Sequence, residues 1–159
     1  MRAPPIPSAL SAALLTAGFA AAQCPITSLA AATYGQGCNP VFAAQPPTVN
    51  GALTSTCTLD VTVDGFGGCC NTFPVGQLLV LGTTPAQVPL PQFGSGCELL
   101  VAPDVIAFLP AAAGGPFSIP LAGVASPVTV YAQGSVLYFT TIGLALDFAL
   151  SAGVQIDLS

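Results

Sequence analysis

Prolines partition this chain. From residue 40 onward they stand at Pro40, Pro46, Pro47, Pro74, Pro85, Pro89, Pro91, Pro103, Pro110, Pro116, Pro120 and Pro127. Each removes a backbone donor and opposes a helix interior, and beyond Gln23 no segment reads as a good helix. Short β-type runs lie between them. Cys57 to Val63, "CTLDVTV", alternates strictly. Cys57, Leu59, Val61 and Val63 face one way and Thr58, Asp60 and Thr62 the other, as in a half-buried strand. Gln77 to Leu81, "QLLVL", is a continuous apolar run suited to a central strand. Glu98 to Val101 and Val105 to Leu109 flank the turn-like "APD", and Phe117 to Leu121, broken by Pro120, reads as an edge strand. Gln133-Gly134 between Val128–Ala132 and Ser135–Thr141 predicts a hairpin turn. Leu144 to Leu150, "LALDFAL", sets Leu144, Leu146, Phe148 and Leu150 on one face. Its Leu and Ala favour helix, but its alternation and flanking glycines favour strand. Ser151-Ala152-Gly153 then turns into Val154–Leu158 as a second hairpin. Eight or more such strands make the expected fold all-β, an antiparallel β-sandwich of jelly-roll or immunoglobulin-like topology.

A chain of 159 residues has room for one domain. Hydrophobic residues make up 53% and charged residues 4%, the opposite of the balance that disorder requires. Arg2 is the single basic residue, and Lys and His are absent. Phosphate recognition needs clustered cations, so nucleic acid and anionic lipid are poor partners. A surface so poor in charge has little repulsion to keep copies apart, which points to self-association or to a cell-surface polymer as the partner.

Residues 1–22 read as a cleavable signal peptide. Arg2 is the positive n-region, Ser8 to Phe19 the apolar h-region, and Ala20-Ala21-Ala22 the small-residue cleavage site. The apolar run is short for a transmembrane anchor, which needs about 20 residues. A buried N-terminal helix is the rival reading, but nothing amphipathic follows it. Lipid on Cys24 is disfavoured because Gln23 stands where a lipobox wants Gly or Ala. The expected mature domain is then 23–159, secreted, extracellular or at the cell surface.

All six cysteines, Cys24, Cys38, Cys57, Cys69, Cys70 and Cys97, follow the proposed cleavage point. An even number in an exported chain suggests disulfides. In "DGFGGCCNT" (Asp64 to Thr72) the adjacent Cys69 and Cys70 do not supply the Cys-x-x-Cys spacing of zinc or redox sites. The same glycine turn lacks the lysine of a phosphate loop. A staple is the reading that remains. Six cysteines allow 15 pairings. In extended chain Cys69 and Cys70 point to opposite faces and take different partners. If Asp64 to Gly68 closes a hairpin, Val63 lies opposite Cys69 and Cys57 lies about 20 Å away by strand rise, beyond disulfide reach.

Catalysis lacks its usual groups. Without His or Lys no common base near neutral pH is present, and the mature chain has no Arg to steady an oxyanion. A carboxylate pair is the surviving route. Yet Asp60 reads as a solvated strand-edge residue and Asp64 and Asp104 as turn residues, while Asp147 and Asp157 read as outward-facing positions of the last two strands. No enzyme, cofactor or metal site is expected. Calcium around Asp60 and Asp64 is the weak exception, since no calcium-loop pattern exists. An extracellular carbohydrate-binding module is the alternative function. It would use aromatic platforms, of which Tyr34, Tyr131, Tyr138, Phe66 and Phe73 are the candidates; Trp is absent.

"ATYGQGC" (Ala32 to Cys38), "GSGCELLVAPDV" (Gly94 to Val105), "VTVYAQG" (Val128 to Gly134) and "GLALDFALSAGVQIDL" follow one another in an order that resembles a β-rich module of secreted proteins from planctomycete-type bacteria. The resemblance spans Ala32 to Ser159. It implies a shared Cys38–Cys97 pair and no established activity. The added Cys24, Cys57, Cys69 and Cys70 depart from its pattern, as does Gly134-Ser135 where an aromatic is usual. With that pair taken, Cys24 and Cys57 are left as partners for Cys69 and Cys70. The resulting expectation is a non-catalytic structural or adhesive module. Its export is checked by the intact mass of the secreted protein, expected to begin at Gln23. A mass retaining residues 1–22, or lipid on Cys24, would contradict it.

Overall fold

In the computed structural model, which describes residues 24–38, 45–65, 72–111, 115–141 and 144–159, the alternating runs form ten strands. They are β1 (Leu29–Tyr34), β2 (Thr48–Leu53), β3 (Thr58–Asp64), β4 (Thr72–Gly82), β5 (Pro85–Pro89), β6 (Glu98–Val101), β7 (Val105–Pro110), β8 (Phe117–Pro120), β9 (Val128–Thr140) and β10 (Ala145–Leu158). One 3₁₀ turn, Pro91–Phe93, follows β5. Five strands form a sheet in the order β1-β10-β9-β4-β7, three form a second in the order β2-β3-β8, and β5 and β6 make a two-stranded ribbon. Every pairing is antiparallel. The two larger sheets face each other across one apolar core, the arrangement of a β-sandwich.

The strand alternation builds that core. On β3, Leu59, Val61 and Val63 are buried, and Val49 of β2 and Phe117 of β8 join them from the same sheet. The five-stranded sheet answers with Leu79 and Leu81 of β4, Ala132, Val136 and Tyr138 of β9, and Ala149, Val154, Ile156 and Leu158 of β10. Each Val, Leu, Ile or Phe side chain among them contributes about 1.5–3 kcal/mol on leaving water. At one end of the sandwich the buried Tyr138 hydroxyl donates to the Gly65 carbonyl at 2.9 Å, tying β9 to the end of β3. β8 is an edge strand and β4 lies inside its sheet, as "FSIPL" and "QLLVL" predict.

Both predicted hairpins near the C-terminus are corrected. Gln133 and Gly134 form no turn: they lie within the unbroken β9. Gly134 is required by packing, because a Cβ there would sit 2.7 Å from Val49 Cγ2 and 2.8 Å from the Val63 methyls of the facing sheet. Ser151 to Gly153 is not a turn either. It is a bulge inside β10, where the register with β9 slips between Leu150 and Gly153. β3 and β4 belong to different sheets and do not pair as a hairpin; Phe66 to Gly68 lie outside the described residues.

The ribbon covers part of the outer face of the five-stranded sheet. Leu100 and Val101 of β6 are buried there. Cys38 bridges to Leu150 by two backbone bonds of 2.9 Å and is disulfide-bonded to Cys97 beside the ribbon. Leu90 and Phe93 pack on this second small cluster. The other disulfide joins Cys24 to Cys57, so these two cysteines are not the partners of Cys69 and Cys70. The reason is proximity at one end of the sandwich. Ile26 is buried in the core, Thr27 and Ser28 donate to the Ser159 carbonyl, and the Thr54–Cys57 turn arrives at the same place, leaving the two Cα atoms 5.2 Å apart. The bonds span 33 and 59 residues, for which loop-closure entropy corresponds to about 3–5 kcal/mol each. Cys69 and Cys70 lie outside the described residues, as do Phe66 and residues 1–22.

Gly134→Ala is expected to destabilise the protein by about 1–3 kcal/mol through overpacking. Gly51→Ala, whose Cβ would meet the Ile156 methyl at 3.3 Å, is expected to cost clearly less. Urea midpoints of the two oxidised variants check the order, and equal costs would contradict the packing account.

Candidate functional site

The six carboxylates are dispersed, and each meets neutral donors or a backbone amide. Asp60 accepts from the Ser118 hydroxyl at 2.7 Å, and Asp64 from the Asn50 amide at 3.1 Å. These two share a face of β3 and stand four residues apart, about 13 Å by strand rise. Asp104 accepts from the Thr83 backbone N–H at 2.8 Å and its hydroxyl at 3.0 Å. Asp157 accepts from Thr129 at 2.6 Å and from Gln155 at 2.9 Å, and Glu98 accepts from Gln87 at 3.2 Å. Asp147 accepts from the Phe148 N–H at 2.8 Å. It shares its face of β10 with the core residue Ala149, so the expectation that it faces outward is corrected. Among the described residues no three of His, Cys, Asp and Glu gather as a set that could hold a metal.

Among the described residues, two surfaces stand out by shape. The first is an open cleft of about 530 Å³ between the end of β1 and the ribbon, lined by Tyr34, Gly35, Pro85, Ala86, Gln87, Glu98 and Leu100. Tyr34 stands opposite Gly153 in the β1–β10 register. Its ring covers that glycine so closely that a Cβ there would come 2.4 Å from the ring. Its hydroxyl donates to the Leu100 carbonyl at 2.7 Å, and its ring meets Tyr131 edge-on with centroids 5.8 Å apart. Burial first, and the neighbouring Tyr131 second, push the Tyr34 hydroxyl up to about 12. Tyr34 therefore serves as a fixed wall, while Gln87 and Glu98 present the polar groups of the cleft.

The second surface is the outer face of the five-stranded sheet beyond the ribbon. Its rungs follow from the register. Leu146, Phe139 and Phe73 form one; Phe148, Leu137, Gly76 and Pro110 the next; Leu150, Ser135, Leu78 and Phe108 a third; and Val80 with Ile106 continue it. Phe73 is 57% exposed, Ile106 64%, Phe108 53% and Leu146 61%. Phe93 meets Phe148 edge-on at 5.0 Å and covers one flank. Beneath that flank lies an apolar pocket of about 170 Å³, lined by Leu78, Val80, Leu90, Phe93, Ser135, Phe148 and Leu150. The buried Ser135 hydroxyl has no hydrogen-bond partner among the described residues. No carboxylate lies on these rungs: Asp157 shares the face but sits at the far end of β10, opposite Thr129.

Of the residues singled out in sequence, the structure brings Tyr34 and Tyr131 together and exposes Phe73. It puts Tyr138 in the core. Sequence reasoning missed Gln87 and Glu98 as a pair, since eleven residues and a register slip separate them. It also assigned the leucines of "LALDFAL" no exposed face. No family model matches the chain, and neither a curated protein nor a solved structure shows significant similarity to it.

Burial also raises the Tyr138 hydroxyl. Both tyrosines thus favour the neutral form when folded, against about 10 when unfolded. Their contribution is complete below pH 10 and is lost as pH rises through the folded values. Denaturant midpoints are expected to hold to about pH 9 and fall between pH 10 and 12. Tyr34→Phe should flatten that fall while costing about 0.5–1.5 kcal/mol at neutral pH for the lost hydrogen bond. A slope unchanged by the substitution would contradict the assignment.

Proposed function

We propose that this chain is an exported, non-catalytic module with a structural or adhesive role at or beyond the cell surface, of the kind found in the secreted planctomycete-type proteins it resembles. One observation carries the reading: a broad apolar sheet face, with no carboxylate on its rungs, that the described residues leave open on a sandwich closed by two disulfides. Large open apolar patches mark interaction sites, and disulfides suit an oxidising compartment. No helix among the described residues is long and apolar enough to cross a membrane. The dispersed carboxylates, each engaged by a neighbour, suit a structural role.

A second reading, an extracellular carbohydrate-binding module, is favoured by the cleft of Tyr34, Gln87 and Glu98. Aromatic, amide and carboxylate groups together suit a neutral sugar.

Retention of the oxidised domain on the producer's cell-envelope material, in parallel with a glycan array, tests both. The adhesive reading expects retention that survives high salt and falls at least fivefold in a Phe108→Ser, Leu146→Ser double variant. A saturable sugar hit lost in Glu98→Gln would establish the second reading in its place. Turnover of any substrate, abolished by changing one carboxylate to its amide, would overturn both.

A further inference from the structure

We infer that the open face of the five-stranded sheet is a dimer interface, and that its occupant is a second copy of this chain. The inference rests on the adhesive reading of that face and names its partner.

Area is the first argument. Four large side chains on the face, Phe73, Ile106, Phe108 and Leu146, are each more than half exposed. With the half-buried residues between them they present on the order of 500–600 Å² of apolar surface, taking roughly 150–250 Å² per large side chain. Two such faces brought together bury on the order of 1,000–1,200 Å², the threshold of a specific protein–protein interface. A single copy leaves that area in water.

Charge is the second. The six acidic side chains all lie off the rungs of this face. A basic or acidic partner would find nothing to pair with, whereas a second copy presents an equally neutral apolar surface by construction. Asp157 at the far end of β10 and Glu98 on the ribbon flank this face, and the other acidic side chains lie off it.

Shape is the third. Sheets pack face to face about 10 Å apart with their strands nearly aligned, and a two-fold interface uses the same patch on both copies. A two-fold axis running along the strands between β4 and β9 lays β7 of one copy over β10 of the other. The Phe108 ring, which lies over Gly76 of its own sheet, keeps its exposed side toward the other copy, and by the two-fold symmetry the contact is reciprocal.

Sedimentation equilibrium of the oxidised mature domain, from micromolar to millimolar concentration, tests the inference. The wild type is expected at twice the chain mass. Phe108→Ser and Leu146→Asp are expected to lower the dimer fraction at least tenfold at equal concentration. Both change exposed side chains, and circular dichroism with unchanged disulfide mapping identifies a variant that folds; if Leu146→Asp does not, Phe108→Ser decides. A wild-type monomer throughout the range would overturn the inference, as would a dimer indifferent to both substitutions. So would a monomer that binds phosphatidylcholine vesicles through this face. A monomer still retained on envelope material would leave the adhesive reading standing without the dimer. A dimer that is not retained would support the interface and remove the adhesive role.

Discussion

The Gln133 carboxamide meets three backbone groups from three places in the chain. Its oxygen accepts from the Leu100 N–H at 2.9 Å, and its nitrogen donates to the carbonyls of Glu98 at 3.0 Å and Ser151 at 3.1 Å. The first two contacts hold the ribbon to the sheet, and the third holds the bulge in β10. Ser151 completes the bulge by accepting from the Gly134 N–H at 2.8 Å and donating to the Ala152 carbonyl at 2.6 Å. A bulge kept in place by buried polar groups is costly to lose, because those groups would then be unpaired away from water. One inserted residue reverses the phase of everything that follows it. After it Val154, Ile156 and Leu158 point into the core; before it Leu146, Phe148 and Leu150 point outward. The open apolar face is therefore a consequence of how Gln133 and Ser151 are satisfied.

The two disulfides act at opposite points of this frame. Cys24–Cys57 closes the end of the sandwich where the leading segment, the β2–β3 turn and the last residue meet. Cys38–Cys97 fixes the ribbon side, next to Leu150 at the bulge. A chain with 4% charged residues has few ion pairs to offer, so covalent closure and apolar burial carry the order. The protein also protects its sheet edges sparingly. β8 and β7 end in Pro120 and Pro110, while β1 presents "LAAATY" without a charge. Association through its surfaces is consistent with that economy.

Much of the strand content was legible, because alternation on β3 and the proline-bounded runs report local pleating directly. Leu59, Val61 and Val63 are buried as their period predicts. The hairpin at Gln133-Gly134 was misread for a physical reason: a polar residue followed by glycine has the composition of a turn. Here Gln133 serves three distant backbone groups and Gly134 makes room for Val49 and Val63, and none of these partners is near in sequence. The cleft escaped notice on the same ground. Gln87 and Glu98 meet only through the β5–β6 register, and Tyr34 reaches Leu100 across 66 residues.

By itself, then, the sequence determined the all-β class, the strand-by-strand alternation, the poverty of charge and the absence of the usual catalytic bases, since each follows from residue type and short-range spacing. Tertiary structure alone decided which side of each alternating strand is inside. "LALDFAL" alternates equally well whether its leucines or Ala149 face the core. The choice falls to the bulge at Leu150–Gly153 and to the facing sheet, which covers one side of β10 and leaves the other open. Alternation is a local property of the pleat, whereas burial depends on which sheet arrives opposite, and that is settled by contacts far apart along the chain.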